Sequence, residues 1–141
     1  MQFFTQIPLR NLIEFCRVLR HNLAAGLTLR RVFRQQAERG PYSVRPVAQR
    51  ISEKLEQGES LEAALKDEKH KFPPIFLSLT AMGEESGNLP EVLAELEEYF
   101  TTLDFSLGER QLEGVREFAR QVGDQIGVLD VPEVMLLPQQ V

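Results

Sequence analysis

An all-α fold is predicted: an antiparallel six-helix bundle over residues 1–100, then a C-terminal extension over residues 101–141 with a further helix from about 108 to 126 and an apolar tail. Three observations predict it. Apolar residues recur at intervals of three and four, the spacing that lines one face of a helix. Connections of a few residues, marked by Gly, Pro, Asn or Ser, separate these stripes, and short connections favour antiparallel neighbours. No segment alternates apolar and polar as a half-buried strand would.

The elements follow in order. Leu9, Leu12, Ile13, Cys16, Leu19 and Leu23 form the first stripe, with Pro8 tolerated at its entry and Gly26 suited to its C-terminal cap. Thr28 reads as the N-cap of a second helix carrying Leu29, Val32 and Phe33 and stopping at Gly40-Pro41. A third begins near Ser43, with Val44, Val47, Ala48, Ile51 and Leu55 in register and Pro46 in its first turn. Gly58 ends it. Ser60 caps a short fourth helix bearing Leu61, Ala64 and Leu65, and the polar run 67–71 is a loop or frayed end. Phe72-Pro73-Pro74 opens a fifth helix with Ile75, Phe76, Leu79, Met82 and Gly83. After Ser86-Gly87, Asn88 with Glu91 resembles a capping box at the start of a sixth helix carrying Leu89, Val92, Leu93, Leu96 and Phe100. Leu112, Val115, Phe118, Ala119, Val122 and Ile126 form the stripe of the extension, interrupted by Gly114 and Gly123. Residues 128–141 are apolar and Pro-punctuated, either packed as an extended tail or disordered.

Composition narrows the function classes. The 141 residues are 43% hydrophobic and 26% charged, with no Trp, which suits a helical core of Leu, Val and Ala. The lone Cys16 excludes an internal disulfide and reads as a packing residue, pointing to a reducing compartment. No run approaches the ~20 apolar residues of a membrane-spanning helix, and residues 1–10 lack a secretory-signal pattern. The expectation from these observations is a soluble, cytoplasmic chain. Charge is uneven: residues 1–54 hold ten Arg or Lys against three Glu, and residues 55–141 six against eighteen acids. The early arginines form either a solvated face or a surface for an acidic partner or anionic lipid. Net charge is −5, which argues against nucleic acid.

Chemistry-bearing motifs are scarce. His21 and His70 have no second ligand at metal spacing, and there is no phosphate loop, nucleophile elbow or zinc-protease helix. The prediction is no enzyme, no cofactor and no metal. Glu84, Glu85, Glu91, Glu95, Glu97 and Glu98 form an acidic solvated face, with a hard-cation site as the other reading.

One segment is distinctive: Ala81-Met82-Gly83-Glu84-Glu85-Ser86-Gly87-Asn88-Leu89. It resembles the GE-x-SG-x-L turn of the type II secretion system F domain, found in the inner-membrane platform proteins of type II secretion and type IV pilus assembly. Leu19 to Leu29 (LRHNLAAGLTL) looks like that family's L-x-x-L-x-x-AGLPL segment, Gly58-Glu59-Ser60-Leu61 like its G-x-SL element, and Phe72-Pro73-Pro74-Ile75-Phe76 like its FPPLF element. The resemblance covers residues about 3 to 100 and implies a six-helix cytoplasmic scaffold without catalysis. Such a scaffold self-associates and contacts the secretion or pilus ATPase and other platform components, with membrane association indirect or through parts outside this chain.

Locally, Gly87 supplies a left-handed turn, Asn88 caps the next helix, and Gly83 permits close helix contact. Partner-binding candidates are Arg30, Arg31, Glu84, Glu85 and Asn88, with Gly83 and Gly87 as the structural turn. Some family members bind calcium through acids that correspond to Arg30 and Arg31 here, and arginines would repel the ion, so no calcium is predicted. The alternative is a free-standing regulatory module that has lost the platform role, suggested by the polar extension after Phe100.

Overall fold

The computed structural model describes residues 6–126. Within them the chain is helical throughout: α1 (Leu9–Ala24), α2 (Leu29–Arg39), α3 (Arg45–Glu56), α4 (Leu61–Lys66), α5 (Pro74–Ser86) and α6 (Leu89–Ile126).

The ends of these helices follow from their cap residues. Gly26 takes φ +92°, its N–H bonds to Leu23 O and that of Leu27 to Asn22 O, so two terminal carbonyls of α1 are satisfied. Gly58, at φ +90°, closes α3 in the same way. Thr28 and Ser60 accept from the backbone N–H of Arg31 and Ala63, as their positions predict. Helix α3 starts at Arg45, two residues later than the pattern suggests. The stretch from Pro41 is a tight turn in which the N–H groups of Val44 and Arg45 both bond to Pro41 O, and the hydroxyl of Ser43 accepts from Asn11 Nδ2 at 2.8 Å.

The sixth helix differs from expectation. The pattern suggests a break after Phe100 and a separate helix from about 108, but α6 runs unbroken from Leu89 to Ile126. Residues 101–107 contain neither Pro nor Gly, so nothing stops propagation, and the lone glycines at 108 and 114 each weaken the helix by only ~1 kcal/mol. The expected apolar tail, from residue 128, lies outside the described residues.

The chain divides after Thr101 into two compact units. In the first, the stripes of all six helices meet in one core that runs from Ile7 to Phe100. Contacts join α1 to α2, α2 to α3, α3 to α4 and α4 to α5. At its centre Phe15 meets Phe33 edge-on at 5.7 Å and lies 6.1 Å from Phe72 and 6.3 Å from Phe76, while Phe72 and Phe76 stack at 4.6 Å. Such pairs add to the burial of the rings. The described part of the second unit is the continuation of α6, on which Leu103, Phe105, Leu107, Val115 and Phe118 are exposed while Leu112 and Val122 are half-buried.

Candidate functional site

The distinctive turn sits where α5 ends and α6 begins, and it joins three helices. Gly87 adopts φ +75°, a left-handed conformation open to glycine, and the N–H groups of Gly87 and Asn88 both bond to Gly83 O. Gly83 is buried: a Cβ there would lie 3.0 Å from Val92 Cγ2 and 3.1 Å from Leu89 Cα, so α6 packs directly against the backbone of α5.

Glu84 has a defined structural role. Its Oε2 accepts from the N–H of Leu61 at 2.7 Å and its Oε1 from that of Glu62 at 3.0 Å. With Ser60 accepting from Ala63 at 3.1 Å, three of the four amides that a helix start leaves unpaired are satisfied in α4. A carboxylate suits this place twice over, as a charge-assisted acceptor and as an anion at the positive end of the helix. Ser86 bonds to Met82 O at 2.7 Å and also to the side chain of Asn88. Glu85 and Asn88 are exposed.

Arg30 and Arg31 are exposed in the first turn of α2. No hydrogen bond or ion pair joins them to the acids of the turn among the described residues. Other early arginines do not form one free face. Arg17 and Arg20 both reach Glu97 of α6, at 2.8 Å each, and Arg34 pairs with Glu56. Glu97 therefore belongs to an α1–α6 clamp rather than to a solvated acidic face. Burial alone would raise its pKa, but the hydrogen bonds and charges of Arg17 and Arg20 outweigh this and hold it below the usual carboxylate range. Glu68, in the polar run read as loop, is buried and paired with Arg50, whose pKa rises because of that hydrogen bond. Neither partnership has a local signal, since each joins residues far apart in sequence.

Cys16 is fully buried, and burial, with the charge of Glu97 adding to it, pushes its thiol up to about 12. It is a packing group under any physiological condition. Among the described residues no three His, Cys, Asp or Glu side chains converge as a metal site would require, and no helix is long and apolar enough to cross a membrane.

Fold and turn together define a class: a small helical domain in which a Gly-Glu turn locks the meeting of three helices and leaves charged side chains outside. The chain belongs to the type II secretion system protein F family, whose family model matches residues 15–113. It is 35% identical over 78 residues to a type II secretion system protein F from Aeromonas hydrophila, a match covering 55% of this chain and 20% of that relative. The chain therefore spans about a fifth of the length of that curated relative.

Proposed function

We propose that residues 1–100, as an antiparallel six-helix bundle, form a non-catalytic scaffold domain of a type II secretion or type IV pilus-like assembly platform. The domain works at the cytoplasmic face of the inner membrane, holding other platform components and the secretion ATPase in register and associating with itself. The observation that carries this reading is the family match over residues 15–113, within which the GE-x-SG-x-L turn is a complete structural joint. That joint ties α4, α5 and α6 together, Glu85 and Asn88 are exposed at it, and Arg30 and Arg31 are exposed in the first turn of α2.

The test is capture of the cognate secretion ATPase by the full chain, repeated with Arg30→Glu/Arg31→Glu and with Glu85→Lys. These positions are exposed, so the variants fold, and each weakens capture if its charge contacts the ATPase. Failure of the unaltered chain to retain the ATPase at any salt concentration eliminates the ATPase contact. A second reading, a free-standing regulatory module, is favoured by the unbroken amphipathic run of α6 to Ile126. A chain ending at Thr101 separates the two: the scaffold reading expects it to keep its partner, the regulatory reading expects it to lose it.

A further inference from the structure

The corner between α2 and α3 holds the most exposed large apolar or aromatic side chain among the described residues, Tyr42, at 83%. Its surroundings are tied down. Pro41 O accepts from the N–H groups of Val44 and Arg45, and the Ser43 hydroxyl accepts from Asn11 Nδ2, so the backbone on both sides of Tyr42 is held. The Arg45 guanidinium carbon lies 4.3 Å from the centre of the Tyr42 ring, over its face, while Nε donates to Gly40 O at 2.6 Å. The two terminal nitrogens of that fork have no hydrogen bond among the described residues. Arg39, exposed in the last turn of α2, immediately precedes the same corner. Neither Arg39 nor Arg45 has an ion pair among the described residues, and no acid occurs from residue 39 to residue 52. Arg50, the third arginine of that stretch, is held by Glu68.

We propose that this corner docks on an anionic phospholipid surface, with Tyr42 entering the headgroup layer and Arg39 and Arg45 meeting its phosphates. The occupant is argued from charge and form. A guanidinium offers paired N–H groups that match the oxygens of a phosphate, and one already fixed by a ring and a carbonyl gives up little freedom on binding. Tyrosine joins an apolar ring to a polar tip and is a residue type that sits at headgroup level. At 83% exposure the ring stands out from the surface instead of lining a recess, which suits a flat, yielding layer better than a protein partner. Residues 28–52 carry six arginines and one acid in a chain of net charge −5, so an anionic surface attracts this helix pair and repels the rest, which sets the orientation. Two arginines and one ring make the contact weak and salt-sensitive. The inference adds a point of contact with the bilayer to the reading above and rests on that reading for its setting. Vesicle binding is scored without the ATPase, so either can fail alone.

Co-sedimentation of the full chain with vesicles of phosphatidylcholine, with or without phosphatidylglycerol, tests it. The expected result is binding to the mixed vesicles alone, lost as salt rises. Arg39→Ala and Arg45→Ala each lower the partition coefficient about fivefold with the helical circular dichroism signal kept, whereas Arg110→Ala, on the exposed face of α6, changes it by less than about twofold. The chain has no Trp, so Tyr42→Trp places a single indole at the corner, and its emission shifts to the blue on mixed vesicles. Tyr99→Trp, on α6 where the ring meets Phe100, shows no such shift. Absence of binding at low salt overturns the proposal, as does equal binding to both kinds of vesicle. A loss with Arg110→Ala as large as that with Arg45→Ala makes the attraction general to the chain and overturns the corner. Retention on poly-glutamate without a blue shift on vesicles overturns the lipid in favour of an acidic protein.

Discussion

Two glycines four residues apart have opposite reasons for being glycine, and substitution separates them. At Gly87 the constraint is the backbone: φ is +75°, nothing lies within 4 Å of a Cβ, and alanine costs about 1 kcal/mol of left-handed strain. At Gly83 the constraint is space, because an alanine methyl meets the backbone of Leu89 as well as a Val92 methyl. Gly83→Ala is expected to destabilise by about 1–3 kcal/mol despite its helix propensity, whereas Gly114→Ala, in open surroundings, stabilises by up to ~1 kcal/mol. Urea denaturation ranks the three. Glu84→Ala frees the N–H groups of Leu61 and Glu62 and is expected to cost about 1–2 kcal/mol, with Glu84→Gln intermediate because one oxygen remains to accept. Among these residues the roles of Gly87, Thr28 and Ser60 were legible in the sequence, whereas the capping box expected of Asn88 and Glu91 does not form, the Asn88 Oδ1 accepting from the Ser86 hydroxyl instead. The roles of Glu84, Glu97 and Glu68 were not legible, because a carboxylate looks the same on a solvated face as beside an amide or guanidinium 18 to 80 residues away.

At the scale of elements, the clamp of Glu97 on Arg17 and Arg20 holds α1 to α6 and carries a pH signature. Its depressed pKa means the contribution is full above the unfolded carboxylate value of about 4.3 and is lost as pH falls through the lower folded value. Glu97→Gln is expected to lower stability by about 1 kcal/mol at neutral pH, modest because Arg17 is half-exposed, with the gap to the unaltered chain closing in acid. Thermal melts of both proteins from pH 7 down to pH 3 measure this. Arg50→Met is the harsher change, since it strands the buried Glu68 carboxylate without its partner, and the expected loss is about 3 kcal/mol. Element types were readable from periodicity because each stripe ends at a residue that cannot continue it. The length of α6 was not. The reading relied on a change of polarity after Phe100, whereas a helix stops for lack of backbone hydrogen bonds, and residues 101–107 contain nothing to interrupt them.

For the molecule as a whole, the first unit stands on one core knit around Phe15, a residue that belongs to the spacing of Leu12 and Leu19 yet stands outside the stripe first drawn for α1. Its ring packs near three others from two segments, so Phe15→Ala is expected to cost about 3–5 kcal/mol, a large share of a small domain's stability. Loss of the cooperative thermal transition would show it. The uneven charge of the two halves is partly consumed by this same packing, since Arg17, Arg20, Arg34 and Arg50 of the basic half hold acids of the other half or of neighbouring turns. What remains outward, Arg30 and Arg31 among it, is available for steering a partner in a salt-dependent way.

The sealed thiol of Cys16 gives the protein a built-in gauge of its own opening. No other sulfhydryl competes with it, and while the core is closed a thiol reagent finds nothing to modify. Labelling under native conditions is therefore expected to be slow and to count excursions that part α1 from its neighbours. Its rate in the Gly83, Glu84 and Glu97 variants reads out how far each loosens the fold, without denaturant.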